Sequence, residues 1–332
     1  MSSRVVSESF SYPAYSILLI VTMLEQRGVN TTEILTNCGL RRDSLFFETT
    51  KISFRQIYHF INKIIKKIDD PRFTFDTGLF VKRSNCGFFG SGLLSCATYK
   101  DADEFGMKYE MVIGSLGKTD MIECDGAITF VYEPILFLDR KDPVYQFIIE
   151  LNSAMAFSIK RESYGPDFQL LNASFRYDKP AHHAVYEDIY ACPVAFGQPC
   201  NSISYDIAWR DQTLATANPA AMLTITEICD KQLLGIQIDS QIEVKVQQIL
   251  VRNPSYFPSF EEVAAELAMH PRTLRRLLKS AGGTYREILS EVQRKFALKY
   301  LREEKLTHEE LAKRLGFSDG ASFRKAYVRW VK

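Results

Sequence analysis

Two hydrophobic periods alternate along this chain. Ile17, Leu18, Val21 and Leu24 keep helical spacing until Gly28 stops them, and Thr31 or Thr32 can cap a shorter helix that ends near Gly39. Residues 54–68 repeat apolar positions at 57, 60, 61, 64, 65 and 68, and Asp69-Asp70-Pro71 ends that helix. Proline cannot continue the hydrogen-bond ladder and restricts the residue before it. Residues 86–99 are glycine-punctuated and mostly apolar, so they read as buried, and Asp101 opens a helix to about Leu116. The period then shortens to two. Residues 121–124 and 127–132 flank Asp125-Gly126, which suits the positive-φ positions of a hairpin turn. Helix returns over 144–160, and 168–177, 185–190 and 202–207 read as strands. Pro219 opens a helix to Leu234, in the first turn where proline is tolerated. The pattern predicts a flexible stretch over 1–12, then an α+β domain over 13–236 with helices first and a small antiparallel sheet later. A linker helix over 237–252 connects it to an all-α domain over 253–332, with the boundary at Asn253-Pro254.

The C-terminal pattern is more specific. Ser259 is placed to cap a helix, with Glu262 as its capping-box partner and Val263, Ala264 and Leu267 facing inward. A tight connection over 268–270 leads to Pro271 and a second helix through Lys279, which Gly282-Gly283 terminates. Leu274, Leu277 and Leu278 form its inner face, leaving Arg272, Thr273, Arg275, Arg276 and Lys279 on the others. The arrangement recurs: Thr307 with Glu310 opens a helix carrying Leu311, Ala312 and Leu315, and the turn 316–319 leads to a helix over 321–331. There Phe323, Ala326 and Tyr327 take core spacing, while Ser322, Arg324, Lys325 and Arg329 stay polar. Residues 285–303 between the two units read as one helix, about 28 Å long at ~1.5 Å per residue. That length suits two recognition helices held near the ~34 Å separation of successive major grooves. Two helix-turn-helix motifs, 259–280 and 307–331, joined by a long helix are therefore expected.

Charge supports this. Residues 253–332 hold 16 Lys/Arg against 10 Asp/Glu, a surplus of +6, whereas the rest of the chain carries −5. A basic tail on an acidic body suits a polyanionic partner, and arginine can fork two hydrogen bonds to guanine or reach phosphates.

With these residues in view, 260–332 resembles the DNA-binding domain of the AraC/XylS family of bacterial regulators. The resemblance is carried by Glu310-Leu311-Ala312-Lys313-Arg314-Leu315-Gly316-Phe317-Ser318-Asp319, then Ala321-Ser322-Phe323-Arg324-Lys325-Ala326-Tyr327 and Arg329-Trp330. The N-terminal part resembles the subgroup with an arabinose-binding-like regulatory domain, through Gly39-Leu40, Gly87-Phe88-Phe89-Gly90 with Leu93-Leu94, and 199–209. The family pattern also has a glycine and a further short helix after the Arg-Trp pair, where the sequence given ends at Lys332. Gly320 is a poor helix former for its place beside a recognition helix. The resemblance implies a cytoplasmic transcription regulator, an activator by family habit. It implies a homodimer binding promoter DNA under a small-molecule effector, with RNA polymerase as a candidate partner and no cofactor.

The competing readings are weaker. Gly117-Lys118-Thr119 lacks the first glycine of a phosphate-binding loop, since position 112 is Val, and Gly90-Ser91-Gly92 lacks the spacing of a nucleophile elbow. The seven cysteines form no CxxC pair and read as buried thiols, and adjacent His182 and His183 do not face one metal. No catalytic or metal-binding residue is assigned, so an enzyme is not expected. The longest apolar run near the start, 15–24, is too short to span a bilayer. The 23 Phe and 16 Tyr, concentrated in the N-terminal half, suit either an aromatic-lined ligand cavity or ordinary core packing. Lys82 and Arg83 suit either an anionic ligand or a solvated face. The alternative to a DNA-binding regulator is a helical protein-interaction module that does not bind DNA specifically.

Overall fold

A computed structural model describes residues 11–46, 50–135, 138–252, 256–280, 284–303 and 306–331. The chain divides into two compact units, one of Tyr12–Thr50 and Gln56–Gly235, the other of Met1–Ser11, Lys51–Arg55 and Ile236–Lys332. Most of the stretch expected to be flexible, 1–10, lies outside the described residues. Ser11 and Tyr12, however, belong to a short strand, β1 (Ser11–Pro13), and Tyr12 is buried.

The larger unit begins with α1 (Tyr15–Gln26) and α2 (Thr32–Asn37). After β2 (Lys51–Ser53), which belongs to the smaller unit, come α3 (Phe54–Lys67), α4 (Phe73–Leu79), α5 (Gly87–Ser95) and α6 (Tyr99–Tyr109). Thr98 and Asp101 close a capping box at the start of α6, so the helix begins two residues before Asp101. It ends at Tyr109 rather than near Leu116, and the chain turns through 110–114.

The hairpin forms where expected. Strands β3 (Gly117–Cys124) and β4 (Ala127–Pro134) pair antiparallel through Asp125 and Gly126, with φ of 51° and 75°. Helix α7 (Pro143–Tyr164), capped by Asp142, then packs on the sheet and on α4. Next come β5 (Asn172–Ser174), α8 (Ala184–Tyr190), β6 (Val194–Ala195) and β7 (Asn201–Asp206). The sheet order is β3-β4-β7-β5-β6, antiparallel except for the parallel β5–β6 pair. Ile128, Phe130 and Tyr132 alternate inward from β4 opposite Tyr205, Ile203 and Asn201 of β7.

Two strand expectations fail here. Residues 185–190 lie in helix α8, not a strand. Their β-branched and aromatic composition favours a strand, but Val185/Ile189 and Tyr186/Tyr190 are also i,i+4 pairs, and Tyr186 and Tyr190 bury against Phe75. Within 168–177 only Asn172–Ser174 is strand, although Phe168, Leu170, Ala173, Phe175 and Tyr177 are all buried.

Helix α9 runs unbroken over Pro219–Val251. No break occurs at Gly235–Asp239, because a single glycine lowers helix propensity by only ~1 kcal/mol. Its early residues Ile225 and Cys229 join a core with Phe89, Leu93, Phe105 and Tyr109 of the larger unit. The segment expected to be a linker, 237–252, supplies Ile242, Val246, Ile249 and Leu250 to the core of the smaller unit.

The rest of the smaller unit is helical: α10 (Phe260–Glu266), α11 (Pro271–Ser280), α12 (Tyr285–Glu303), α13 (His308–Arg314) and α14 (Gly320–Val331). Its core has two parts along α12. Ile288 and Val292 pack with Val263, Ala264, Leu274 and Leu278, while Ala297 and Tyr300 pack with Leu311, Ala312, Leu315 and Phe323.

Candidate nucleic-acid interface and buried cavity

Helix α10 starts where Ser259 accepts from the Glu262 N–H at 3.3 Å and Glu262 accepts from the Ser259 N–H at 2.7 Å. Glu262 also accepts from the Tyr256 hydroxyl at 2.6 Å, and these contacts lower its carboxyl to about 2. The connection to α11 is closed by Ala268, in the left-handed region at φ 52°, and by the Met269 N–H donating to the Ala264 carbonyl. His270 then caps α11, its Nδ1 accepting from the Arg272 N–H at 3.2 Å. The sequence reading did not single out His270, because histidine is not a favoured capping residue.

On α11, Leu274 and Leu278 are buried and Leu277 is half-buried. Arg272, Thr273, Arg275, Arg276 and Lys279 are all exposed. The Arg275 guanidinium lies 5.1 Å from the centre of the Phe260 ring, which limits its freedom.

The second helix pair repeats the construction. Thr307 and Glu310 form a capping box, and the Phe317 N–H closes the turn on the Ala312 carbonyl. Asp319 accepts from the Ser322 N–H at 2.7 Å and so caps α14. Arg324 and Lys325 are exposed, while Phe323 and Ala326 are buried. Ser322 is half-buried, and its hydroxyl is engaged by Asp319 and Ser318. The side chain of Arg329 lies outside the described residues. A Cβ at Gly320 would sit 3.1 Å from Glu309 Cγ, a close approach that the exposed Glu309 side chain relieves with a small shift. The buried Gln293 amide of α12 donates to the Leu315 carbonyl at 2.8 Å and ties the long helix to the second turn.

Within the larger unit, α5, α6, α7, β3 and β4 line a half-open cavity of about 110 Å³. Phe89, Leu93, Ile113, Phe130, Met155 and Ile159 provide apolar wall, and Tyr99 and Tyr164 add aromatic faces. The polar lining includes Asp103, Lys160, Glu110, Tyr132, Asn152 and Ser115. Lys160 and Asp103 are a buried pair at 2.6 Å, with the Tyr205 hydroxyl on the other Asp103 oxygen at 2.5 Å. Lys160 also lies 4.0 Å from the centre of the Phe130 ring. Burial pulls its ammonium pKa down, and Asp103 opposes that pull. Glu110 accepts the Thr119 N–H at 3.0 and 3.1 Å, and burial pushes its carboxyl up to about 7. The Tyr132 hydroxyl is buried without a hydrogen-bond partner among the described residues.

The basic pair before the glycine segment has another use. Arg83 is buried, with its Nε 3.7 Å from Glu162, and Lys82 donates to the Ser158 hydroxyl at 3.0 Å. Neither expectation for Arg83, an anionic ligand or a solvated face, matches that packing. Gly117-Lys118-Thr119 lies in β3 rather than in a phosphate-binding loop. Of the seven thiols, Cys38, Cys86, Cys96 and Cys229 are buried, while Cys124 is exposed beside the hairpin turn.

Comparison with known proteins matches residues 28–214 to the "Arabinose-binding domain of AraC transcription regulator, N-term" and 263–332 to a helix-turn-helix domain. The ornithine utilization regulator of Pseudomonas aeruginosa is 26% identical over 312 residues, covering 94% of this chain and 91% of that protein. An uncharacterized HTH-type transcriptional regulator of Mycobacterium tuberculosis is 24% identical, covering 96% of this chain and 93% of that one. The crystal structure of the transcriptional regulator CdpR from Pseudomonas aeruginosa aligns with a TM-score of 0.50 at 19% identity, covering 95% of each chain, and shares the fold.

Proposed function

Since this chain belongs to the AraC-type transcription regulators with an arabinose-binding-like N-terminal domain, we propose that two helix-turn-helix motifs, α10–α11 and α13–α14, read one DNA site. The observation that carries this reading is α12. It shares one apolar cluster with each helix pair and leaves the outer faces of α11 and α14 polar and basic. Arg272, Thr273, Arg275, Arg276 and Lys279 serve one major groove, and Ser322, Arg324, Lys325 and Arg329 serve the next. Ser322 acts in this scheme mainly by holding the start of α14, since its hydroxyl is already engaged.

Residues 13–236 form the effector-binding and dimerising domain of this proposal, and 253–332 the DNA-binding domain. The protein acts in the cytoplasm as a homodimeric activator, touching RNA polymerase at the promoter, and catalyses no reaction. A small metabolite held in the N-terminal domain biases its affinity for DNA. From the ornithine utilization regulator the proposal takes over only that genes of metabolite use are under such control.

The test is selection of sheared genomic DNA by the full-length protein at two salt concentrations, followed by sequencing. Enrichment of a few sites with a common motif, fading as salt rises, is expected, because each phosphate contact releases counterions. Binding that ignores salt and sequence would instead favour a protein-interaction module.

A further inference from the structure

The N-terminal cavity has an unbalanced polar lining. Two carboxylates and one ammonium line it, and the ammonium is already used, because Lys160 pairs with Asp103. Glu110 is left with a backbone N–H and no cation bonded to it among the described residues. The charged groups acting on it are Lys118 and Asp120, both on β3. The phenols of Tyr12 on β1 and Tyr132 on β4 feel its charge in turn. Tyr132 adds a buried hydroxyl without a hydrogen-bond partner among the described residues, and Asn152 adds an amide oxygen that accepts from Ser115 at 3.1 Å.

This set discriminates among ligands. A carboxylate would face Glu110 and find Lys160 occupied. A neutral polyol would supply hydrogen bonds but no counter-charge, and the apolar wall would meet its remaining hydroxyls. An ammonium supplies both charge and donors, and the methylenes beside it suit the apolar wall.

We propose that this cavity is the effector site and that it takes a small primary amine, bound as its ammonium against Glu110 and Tyr132 with a short apolar body along Phe89, Ile113 and Met155. The proposal rests on the reading of the protein as an effector-controlled regulator. The volume sets the scale, a short-chain amine rather than a nucleotide or an extended polyamine.

The test is calorimetric titration of the full-length protein with n-butylammonium chloride, with 1-butanol and sodium butyrate as neutral and anionic probes of similar shape. The amine is expected to bind and the other two not. Affinity should rise about tenfold from pH 6 to pH 8 as Glu110 ionises, because an alkylammonium stays protonated throughout that range. Glu110→Gln, which keeps an acceptor for the Thr119 N–H, should weaken binding at least tenfold and abolish the pH dependence. Tyr132→Phe should weaken it with the pH dependence intact, and it carries the test if Glu110→Gln does not fold. Butanol or butyrate binding as well as the amine, no probe binding at all, or unchanged amine affinity in the folded variants would overturn the assignment. Genomic DNA selection on the same preparation separates the two readings. Sequence-specific enrichment without amine binding leaves the regulator standing and removes this site. Amine binding without enrichment leaves the cavity as an amine site but overturns its assignment to an effector together with the regulator reading.

Discussion

Glu110 makes the stability of the larger unit depend on pH in an unusual direction. Its carboxyl has an ordinary value of 4.5 and titrates at about 7 when folded, because burial disfavours the charge more than the Thr119 N–H and nearby Lys118 favour it. The folded state therefore holds its proton over a window in which the unfolded chain has lost it. Stability from this group is complete below pH 4.5, falls through the interval to about 7, and stays low above it. At ~1.36 kcal/mol for each tenfold difference in proton affinity, the loss between pH 5 and pH 8 comes to roughly 2–3 kcal/mol. Most acidic groups act oppositely, so the sign itself is diagnostic. The assay is urea denaturation of the ligand-free protein followed by Trp209, which packs against Tyr164 and Phe168, in a Trp330→Phe background. Glu110→Gln should remove the decline while leaving other pH effects in place. Parallel pH profiles for the parent and Glu110→Gln proteins would refute the reasoning.

Three further outcomes are expected. Arg275→Ala should weaken specific DNA binding by roughly 1–3 kcal/mol and reduce the ratio of specific to non-specific affinity, as read by competition titration; an unchanged ratio would reject a base-reading role. Lys160→Met strands Asp103 inside the protein and should cost about 3–5 kcal/mol in the same urea assay, with much of it recovered on adding Asp103→Leu; equal losses in the single and double variants would argue against a buried pair. Glu262, held near 2 by Tyr256 and the Ser259 N–H, contributes stability that is complete above its ordinary 4.5 and lost as pH falls toward 2. The α10–α11 pair should accordingly loosen in acid, a loss that Glu262→Gln suffers at every pH, and equal amide protection factors in this pair at pH 3 and pH 6, each corrected for the intrinsic exchange rate, would contradict it.

The two halves of the molecule differ in how far they can be read without coordinates. In the C-terminal unit the signals are local. Ser259 with Glu262 and Thr307 with Glu310 mark helix starts within three residues of sequence, and leucine spacing separates inner from outer faces. The exposed positions of Arg272, Arg275, Arg324 and Lys325 follow from that spacing. What escaped there was unfavoured by statistics: His270 as a cap. In the N-terminal unit the informative contacts join distant residues. Asp103 and Glu110 share one face of α6 and its C-cap, but Tyr132 on β4 and Lys160 on α7 come from other elements around the cavity, and no periodicity relates these to the first two. Arg83 looked solvated because its partner, Glu162, lies 79 positions away. Residues 185–190 look like a strand because composition favours one, and only the packing of Tyr186 and Tyr190 on Phe75 decides for a helix.

Placing both apolar clusters on α12 constrains how the chain can diverge. Each residue added to an α-helix turns everything after it by about 100° and advances it ~1.5 Å. One insertion between Val292 and Ala297 would swing the face that receives Leu311 and Phe323 away from the face that receives Leu274 and Leu278, and would pull Gln293 from the Leu315 carbonyl. The length of this stretch is therefore fixed by the two faces it must hold in register. Natural variants should keep that length, while gaps and insertions collect instead in the turns on either side of the helix.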